Sequence, residues 1–245
     1  MTQIVHLSDI HVSEYYFLSD VAESVLQSIN EISPDIVVVT GDLTHNGSHQ
    51  EFKDVKEYID RIDCRNKVIV PGNHDSKNLG YLLFEDLFGA RSQCHTFSGV
   101  TVVGVDSSEP DINDGHIGRE SYDWIAKSFE TDDFKIFALH HHLIPVPMTG
   151  REVQIPVDSG DVLELLHRCG VNLVLCGHKH VPWVWRLNDM FVVNAGTTSS
   201  KDIKARTTQC YNLIEVDREA LQIYQVLPTG ERKLIIDPIH ESKNE

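Results

Sequence analysis

The chain has 245 residues, one large domain or two small ones, enough to build a core without disulfide or metal support. Its 41% hydrophobic and 24% charged residues exclude a disordered or low-complexity chain, and no apolar run approaches the roughly 20 residues of a membrane helix. The net charge of −16, from 21 Lys and Arg against 37 Asp and Glu, disfavours broad nucleic-acid binding but not a small anionic substrate held by metal ions.

The chain reads as alternating strands and helices. Residues 3–8 form a first strand and 35–40, a continuous β-branched run, a buried one. Between them Leu18, Val21, Ala22, Val25, Leu26 and Ile29 recur at helical spacing, closed by Ser33-Pro34. A second helix starts at Ser48, where Ser48 and Glu51 form a capping box ahead of the apolar stripe Phe52, Val55, Ile59 and Ile62. A strand at 67–70, a short helix at 81–88, and strands at 93–97 and 100–105 follow. A helix at 119–129, a strand at 134–139, a Pro/Gly-containing loop at 140–158, a helix at 161–168 and a strand at 171–175 repeat the logic. From Trp183 the pattern turns to short strands: 183–186 and 191–194 around the Asn188-Asp189 turn, then 208–215, 221–225 and 234–236. This order predicts one α/β domain over 1–245 with a mixed sheet or two stacked sheets, an ordered core to about residue 237 and a loose end after Pro238.

The start of the chain carries neither a basic segment nor an apolar stretch of signal-peptide length, so the expected compartment is the cytoplasm. The five cysteines are odd in number, widely spaced and never paired as C-x-x-C, which predicts free thiols. Histidine is the outlier, with 14 residues that cluster at 140–142 and at 178 and 180.

Five segments each follow an apolar strand directly: Asp9-Ile10-His11, Gly41-Asp42, Gly72-Asn73-His74-Asp75, His140-His141-His142 and Gly177-His178-Lys179-His180. Ligands in α/β sheets gather outside the carboxyl ends of strands, so distant segments can converge on one point. Aspartate, asparagine and histidine without thiolate suit Mn, Fe, Zn or a related ion. Seven such candidates are too many for one tetrahedral ion and fit two ions sharing a carboxylate.

In this order, D-x-H, G-D, G-N-H-D, a histidine run and G-H-x-H resemble the calcineurin-like metallophosphoesterases, over residues 4 to about 198. The resemblance is closest to the small cyclic-nucleotide phosphodiesterase-like members. It implies a four-layer αββα sandwich of two mixed sheets flanked by helices. It further implies a first ion on Asp9, His11 and His180, a second on Asn73, His141 and His178, and Asp42 as the bridge. Within the triple histidine, His140 and His142 are the alternative ligands. His74 matches the histidine that protonates the leaving group, and Asp75 matches the acidic residue behind it.

The implied activity is hydrolysis of a phosphodiester, such as a cyclic nucleotide, by in-line attack of a metal-bound hydroxide. The alternatives are a phosphomonoesterase or nuclease of the same superfamily, or a non-catalytic metal-binding scaffold. The expected partner is a small phosphoester, with no stable nucleic-acid or membrane binding, in a monomer or homodimer. His45, His49, His95, His167 and His240 read as surface or packing residues, and His116 in the loop 111–118 is a candidate for facing the substrate. Lys179, Arg151, Lys201 and Arg206 are the candidate phosphate contacts, and Trp183 and Trp185 read as sheet-face residues.

Overall fold

A computed structural model of the chain describes residues 1–217 and 220–236. The expected loose end after Pro238 lies outside the described residues. In chain order the elements are β1 (Thr2–Leu7), α1 (Ser19–Ile32), β2 (Ile36–Thr40), α2 (His49–Asp60), β3 (Lys67–Val70), α3 (Gly80–Phe88), β4 (Gln93–Phe97), β5 (Val100–Gly104), α4 (Tyr122–Ser128), β6 (Phe134–Ala138), α5 (Ser159–Arg168), β7 (Leu173–Cys176), β8 (Trp183–Leu187), β9 (Met190–Asn194), β10 (Tyr211–Asp217), β11 (Ala220–Val226) and β12 (Arg232–Ile236).

These strands form two six-stranded mixed sheets, in the orders β12-β11-β10-β1-β2-β3 and β4-β5-β6-β7-β9-β8. Strands β1, β2 and β3 are parallel, as are β5, β6, β7 and β9. Parallel neighbours need long crossovers, and the helices supply most of them.

Side-chain alternation builds the layers. Ile36 and Val38 of β2 pack into a core with Val102, Ile136, Leu173 and Leu175 of the other sheet. Val37 and Val39 face the opposite way, onto Val25, Ile29, Phe52 and Val55 of α1 and α2. In the second sheet Val103, Phe137 and Val174 turn outward onto Ile125, Val162 and Leu166 of α4 and α5. Helices, sheet, sheet and helices therefore stack in four layers, because inner strands such as β2, β5 and β7 are buried on both faces. Burying one such Val, Leu or Ile side chain contributes roughly 1.5–3 kcal/mol.

Local signals act as the sequence predicts at α2, where Glu51 N–H donates to Ser48 Oγ (3.3 Å) and Ser48 N–H to Glu51 Oε2 (3.3 Å). They fail in two places. The helix expected at 119–129 is a short 3-10 turn at Arg119–Ser121 running into α4. The strand expected from 208 begins only at Tyr211, because Cys210 N–H pairs with Thr197 O (3.0 Å) in a loop beside the site. All five cysteines are free. No helix among the described residues is long and apolar enough to cross a membrane.

Candidate metal centre

The five segments expected to converge do so, at the carboxyl ends of β1, β2, β3, β6 and β7. Asp9 Oδ1 and the Nε2 atoms of His11 and His180 form one group, with His180 Nε2 3.1 Å from Asp9 Oδ1 and 3.0 Å from His11 Nε2. Asn73 Oδ1 lies 3.2 Å from His140 Nε2 and 3.0 Å from His178 Nδ1, forming the second. Asp42 joins them, its Oδ2 being 3.5 Å from His11 Nε2 and 3.4 Å from His140 Nε2.

The triple histidine is displaced by one from the expected ligand. His140, not His141, turns its ring into the cluster. His141 packs its ring against His140 and His178 but holds its nitrogens outside the cluster, with Nδ1 2.9 Å from Ser107 Oγ and Nε2 3.1 Å from Asn113 O. His142 pairs through Nε2 with Glu152 Oε1 at 2.8 Å. Counting along β6 gives the reason. Ile136 and Ala138 face the core between the sheets, Phe137 and Leu139 face the helices, and His140 continues on the inter-sheet side.

Backbone and packing confine this cluster tightly. Asp9, His11, Asp42, His178 and His180 all have positive φ, between 50° and 71°, a region non-glycine residues seldom occupy. A Cβ on Gly177 would lie 1.8 Å from Ser8 Oγ and 2.6 Å from Asp9 Oδ2. One on Gly72 would lie 2.3 Å from Asp42 Oδ1. Only glycine allows these loops to close on the two carboxylates.

The donor set fits divalent cations. His140 Nδ1 donates to Thr40 O (2.7 Å), His180 Nδ1 to Asp202 O, and His178 Nε2 to Gln154 Oε1 (3.1 Å). Each neutral imidazole then presents a lone pair from its other nitrogen. Asn73 Nδ2 donates to Asn113 Oδ1 (3.2 Å), which leaves the amide oxygen facing the cluster. Imidazole lone pairs, an amide oxygen and carboxylates converging on one spot suit a divalent cation.

The titration of these groups says the same. Burial lowers His140, but the charge and hydrogen bond of Asp42, the Asp9 charge and the Thr40 carbonyl together outweigh it and lift the imidazole to about 9. His180 is likewise lowered by burial and raised further by Asp9, a net rise. Burial would raise Asp42, yet His140, His74 and His11 hold it well below the usual carboxylate range. The Asp9 and Asp42 carboxylates thus favour positive charge beside them.

His74 lines the cavity beside this centre. Its Nδ1 faces His45 O (2.6 Å) and Lys77 Nζ (2.7 Å), its ring meets His11 edge-on, and its N–H donates to Asp42 Oδ1 (2.9 Å). Asp75 is fully buried and accepts from the N–H groups of Leu43 (3.0 Å), Thr44 (2.8 Å) and Gly72 (2.9 Å) and from Thr44 Oγ1 (2.9 Å). It braces the loop after β2 against the loop after β3. Burial, followed by the nearby Asp42 charge, raises its carboxyl to about 6.

The cavity over the centre, 180 Å³, is also lined by His45, Asn113, Gln154, Ser200 and Lys204. Sequence reasoning missed these, since their loops reach the site only through the fold. Lys204 is the lining cation, rather than Lys179, Arg151, Lys201 or Arg206. Lys179 is buried against Val153 O (2.7 Å) and Glu152 (3.4 Å). His116 faces Glu109 at 3.6 Å and does not line this cavity. A larger hollow of 580 Å³ at the amino ends of the strands, lined by Thr2, Asp133 and Asp217 among others, contains none of the candidate ligands.

Comparison with known proteins agrees with the motifs. A family model described as Calcineurin-like phosphoesterase matches residues 2–182. A probable cyclic nucleotide phosphodiesterase of Synechococcus is 25% identical over 166 residues, which cover 66% of this chain and 64% of that protein. A probable glycerophosphodiester phosphodiesterase GpdQ of Arcobacter nitrofigilis is 28% identical over 215 residues, covering 80% and 78%. Among solved structures, the purple acid phosphatase PPD1 of yellow lupin shares the fold, with a TM-score of 0.74 at 14% identity, covering 95% of this chain and 52% of that one. The chain thus spans less than two thirds of the Synechococcus protein and about half of the lupin chain.

Proposed function

Because this chain belongs to the calcineurin-like phosphoesterase family, we propose that it is a two-metal phosphodiesterase acting on a small substrate. Asp9, His11 and His180 would hold one ion and Asn73, His140 and His178 the other, with Asp42 shared. The observation that carries this reading is the position of Asp42 Oδ2, 3.5 Å from one group's His11 and 3.4 Å from the other group's His140. A carboxylate so placed can link two cations but serves one poorly. Bound ions of this kind neutralise phosphoryl oxygens and activate water.

The chain's own residues supply the rest. Lys204 contributes positive charge at the mouth of the cavity, which matters in a protein of net charge −16. Asn113 and Gln154 offer amide groups to the substrate, and both already orient groups of the centre. His74 is the proton donor. Nδ1 is held between the His45 carbonyl and Lys77 Nζ, so Nε2 is the nitrogen from which the protonated ring would pass a proton to the leaving oxygen, returning to neutral imidazole. The leaving alkoxide needs such an acid, and histidine titrates in the right range. The relatives' names point to diesters, including cyclic nucleotides, as the substrate class.

The test is a paired hydrolysis assay on protein loaded with Mn, Fe or Zn, together with metal analysis. Two ions per chain and turnover of a nitrophenyl diester, an alkyl diester and a cyclic nucleotide are expected. His74→Asn should retain both ions, lose about 10²–10⁴-fold on the alkyl diester, and lose much less with the acidic nitrophenol leaving group. One ion per chain, or no turnover when loaded, refutes the two-metal reading. Equal losses on both diesters refute the role of His74.

A further inference from the structure

We propose that His45 is a positioning residue for the first ion site, accepting the Nδ1 proton of His11 and so aiming the His11 Nε2 lone pair at Asp9 and His180. The inference rests on the two-metal reading above. Every other histidine in the centre fixes its tautomer through an oxygen: His140 through Thr40 O, His180 through Asp202 O and His178 through Gln154 Oε1. His11 differs. Its Nδ1 faces His45 Nδ1 at 3.4 Å.

The assignment of protons follows from geometry. His11 Nε2 is the nitrogen inside the cluster, 3.0 Å from His180 Nε2, so the one proton of the neutral ring belongs on Nδ1. His45 Nδ1 must then accept, with its own proton on Nε2. The fold holds the His45 ring for this purpose. Tyr16 stacks on it with centroids 4.0 Å apart and planes 19° apart, and His45 N–H donates to Val12 O (3.3 Å). Tyr16 is fixed in turn by Ser13 Oγ at its N–H (3.1 Å) and by Lys201 N–H at its carbonyl (2.9 Å).

His45 also serves His74, but through its backbone carbonyl at 2.6 Å. Changing the side chain leaves that carbonyl in place, while the ring contact with His74, centroids 4.8 Å apart, changes with it. His45→Phe keeps the stack on Tyr16 and the carbonyl while removing the acceptor, and His45→Asp restores an acceptor oxygen near the Nδ1 position. The measurement is calorimetric titration of the metal-free full chain with Mn, with melting curves to check folding.

An outer partner of a ligating histidine is worth about 10–100-fold in metal affinity. A contact of 3.4 Å is long for a hydrogen bond, which puts the expected loss near 10-fold. His45→Phe should weaken one ion by that factor and leave the other unchanged. His45→Asp should bind both ions as the wild type does. Unchanged binding in His45→Phe overturns the inference, as does equal weakening in both variants. The rings of His11, His45 and His74 offer ligand atoms within 4.8 Å of one another. A third wild-type ion lost in His45→Phe would make His45 a ligand and also overturn it. A wild type that binds no ion overturns the two-metal reading itself, a result distinct from these.

Discussion

Replacing His140 and His141 one at a time sets two adjacent buried histidines against each other. His140→Ala removes a nitrogen 3.2 Å from Asn73 Oδ1 and 3.4 Å from the shared Asp42. Only Asn73, His178 and Asp42 then remain for the second ion. Loss of an outer partner already costs about 10–100-fold in metal affinity, so loss of a ligand should exceed about 100-fold. His141→Ala instead breaks hydrogen bonds to Ser107 and Asn113 and ring contacts to His140 and His178, and removes no nitrogen from the cluster. Its cost falls on folding, about 1–3 kcal/mol for each buried polar group left unpaired. Metal analysis after dialysis, with urea denaturation of the same samples, separates the two. His140→Ala should retain one ion per chain and lose diesterase activity. His141→Ala should retain two ions and unfold at lower urea. If His141→Ala loses an ion and His140→Ala does not, the geometric reading of the triple histidine is wrong.

Two further outcomes follow from the packing around the centre. His6 is fully buried against Thr40 Oγ1 (2.9 Å), and burial lowers its imidazole to about 3, against a weaker opposing pull from Asp9. The unfolded chain binds a proton there below about pH 6.5 while the folded chain does not, so this stability is present above that pH and lost as pH falls toward 3. Between pH 7 and pH 5 the wild type should lose about 2 kcal/mol more than His6→Gln in urea denaturation, and equal slopes would refute the burial argument. Gly177→Ala should lose metal affinity and about 1–3 kcal/mol of stability, because its Cβ meets Ser8 and Asp9. Ser8→Gly in that background should restore part of both, and full metal binding by Gly177→Ala alone would contradict the close approach.

Much of this arrangement is legible in the sequence, because it follows short-range rules. The apolar strands end in Gly, Asp, Asn and His, and parallel strands bring such ends to one edge of the fold. Ser48 and Glu51 mark the start of α2 by capping chemistry alone. The triple histidine was decidable by strand parity, since Ile136, Ala138 and His140 share a face while Leu139 and His141 lie opposite. The motif alone points one residue later, to His141. His45 and Lys204 could not be read in advance. His45 reaches the centre only because the loop after β2 pairs with the loop after β1, joining Val12 to Thr44. Lys204 arrives on a loop that follows the second sheet, and no local pattern marks its destination.

Five candidate ligands share a left-handed backbone, at φ values from 50° to 71°. Each costs of order 1–3 kcal/mol, and the fully buried Asp9 and nearly buried Asp42 add a desolvation cost. The alternating apolar strands beneath the site make these costs tolerable, since their burial contributes the opposing free energy. A proton on His140 Nε2 must leave before a divalent cation can take that nitrogen. The strained loops, the close-fitting glycines and the fixed imidazole tautomers all place lone pairs around cations, while the substrate meets a small polar cavity whose lining cation is one lysine. On the proposed reading the centre is preorganised for ions first, and selectivity among phosphoesters would lie in the loops that carry Asn113, Gln154 and Lys204.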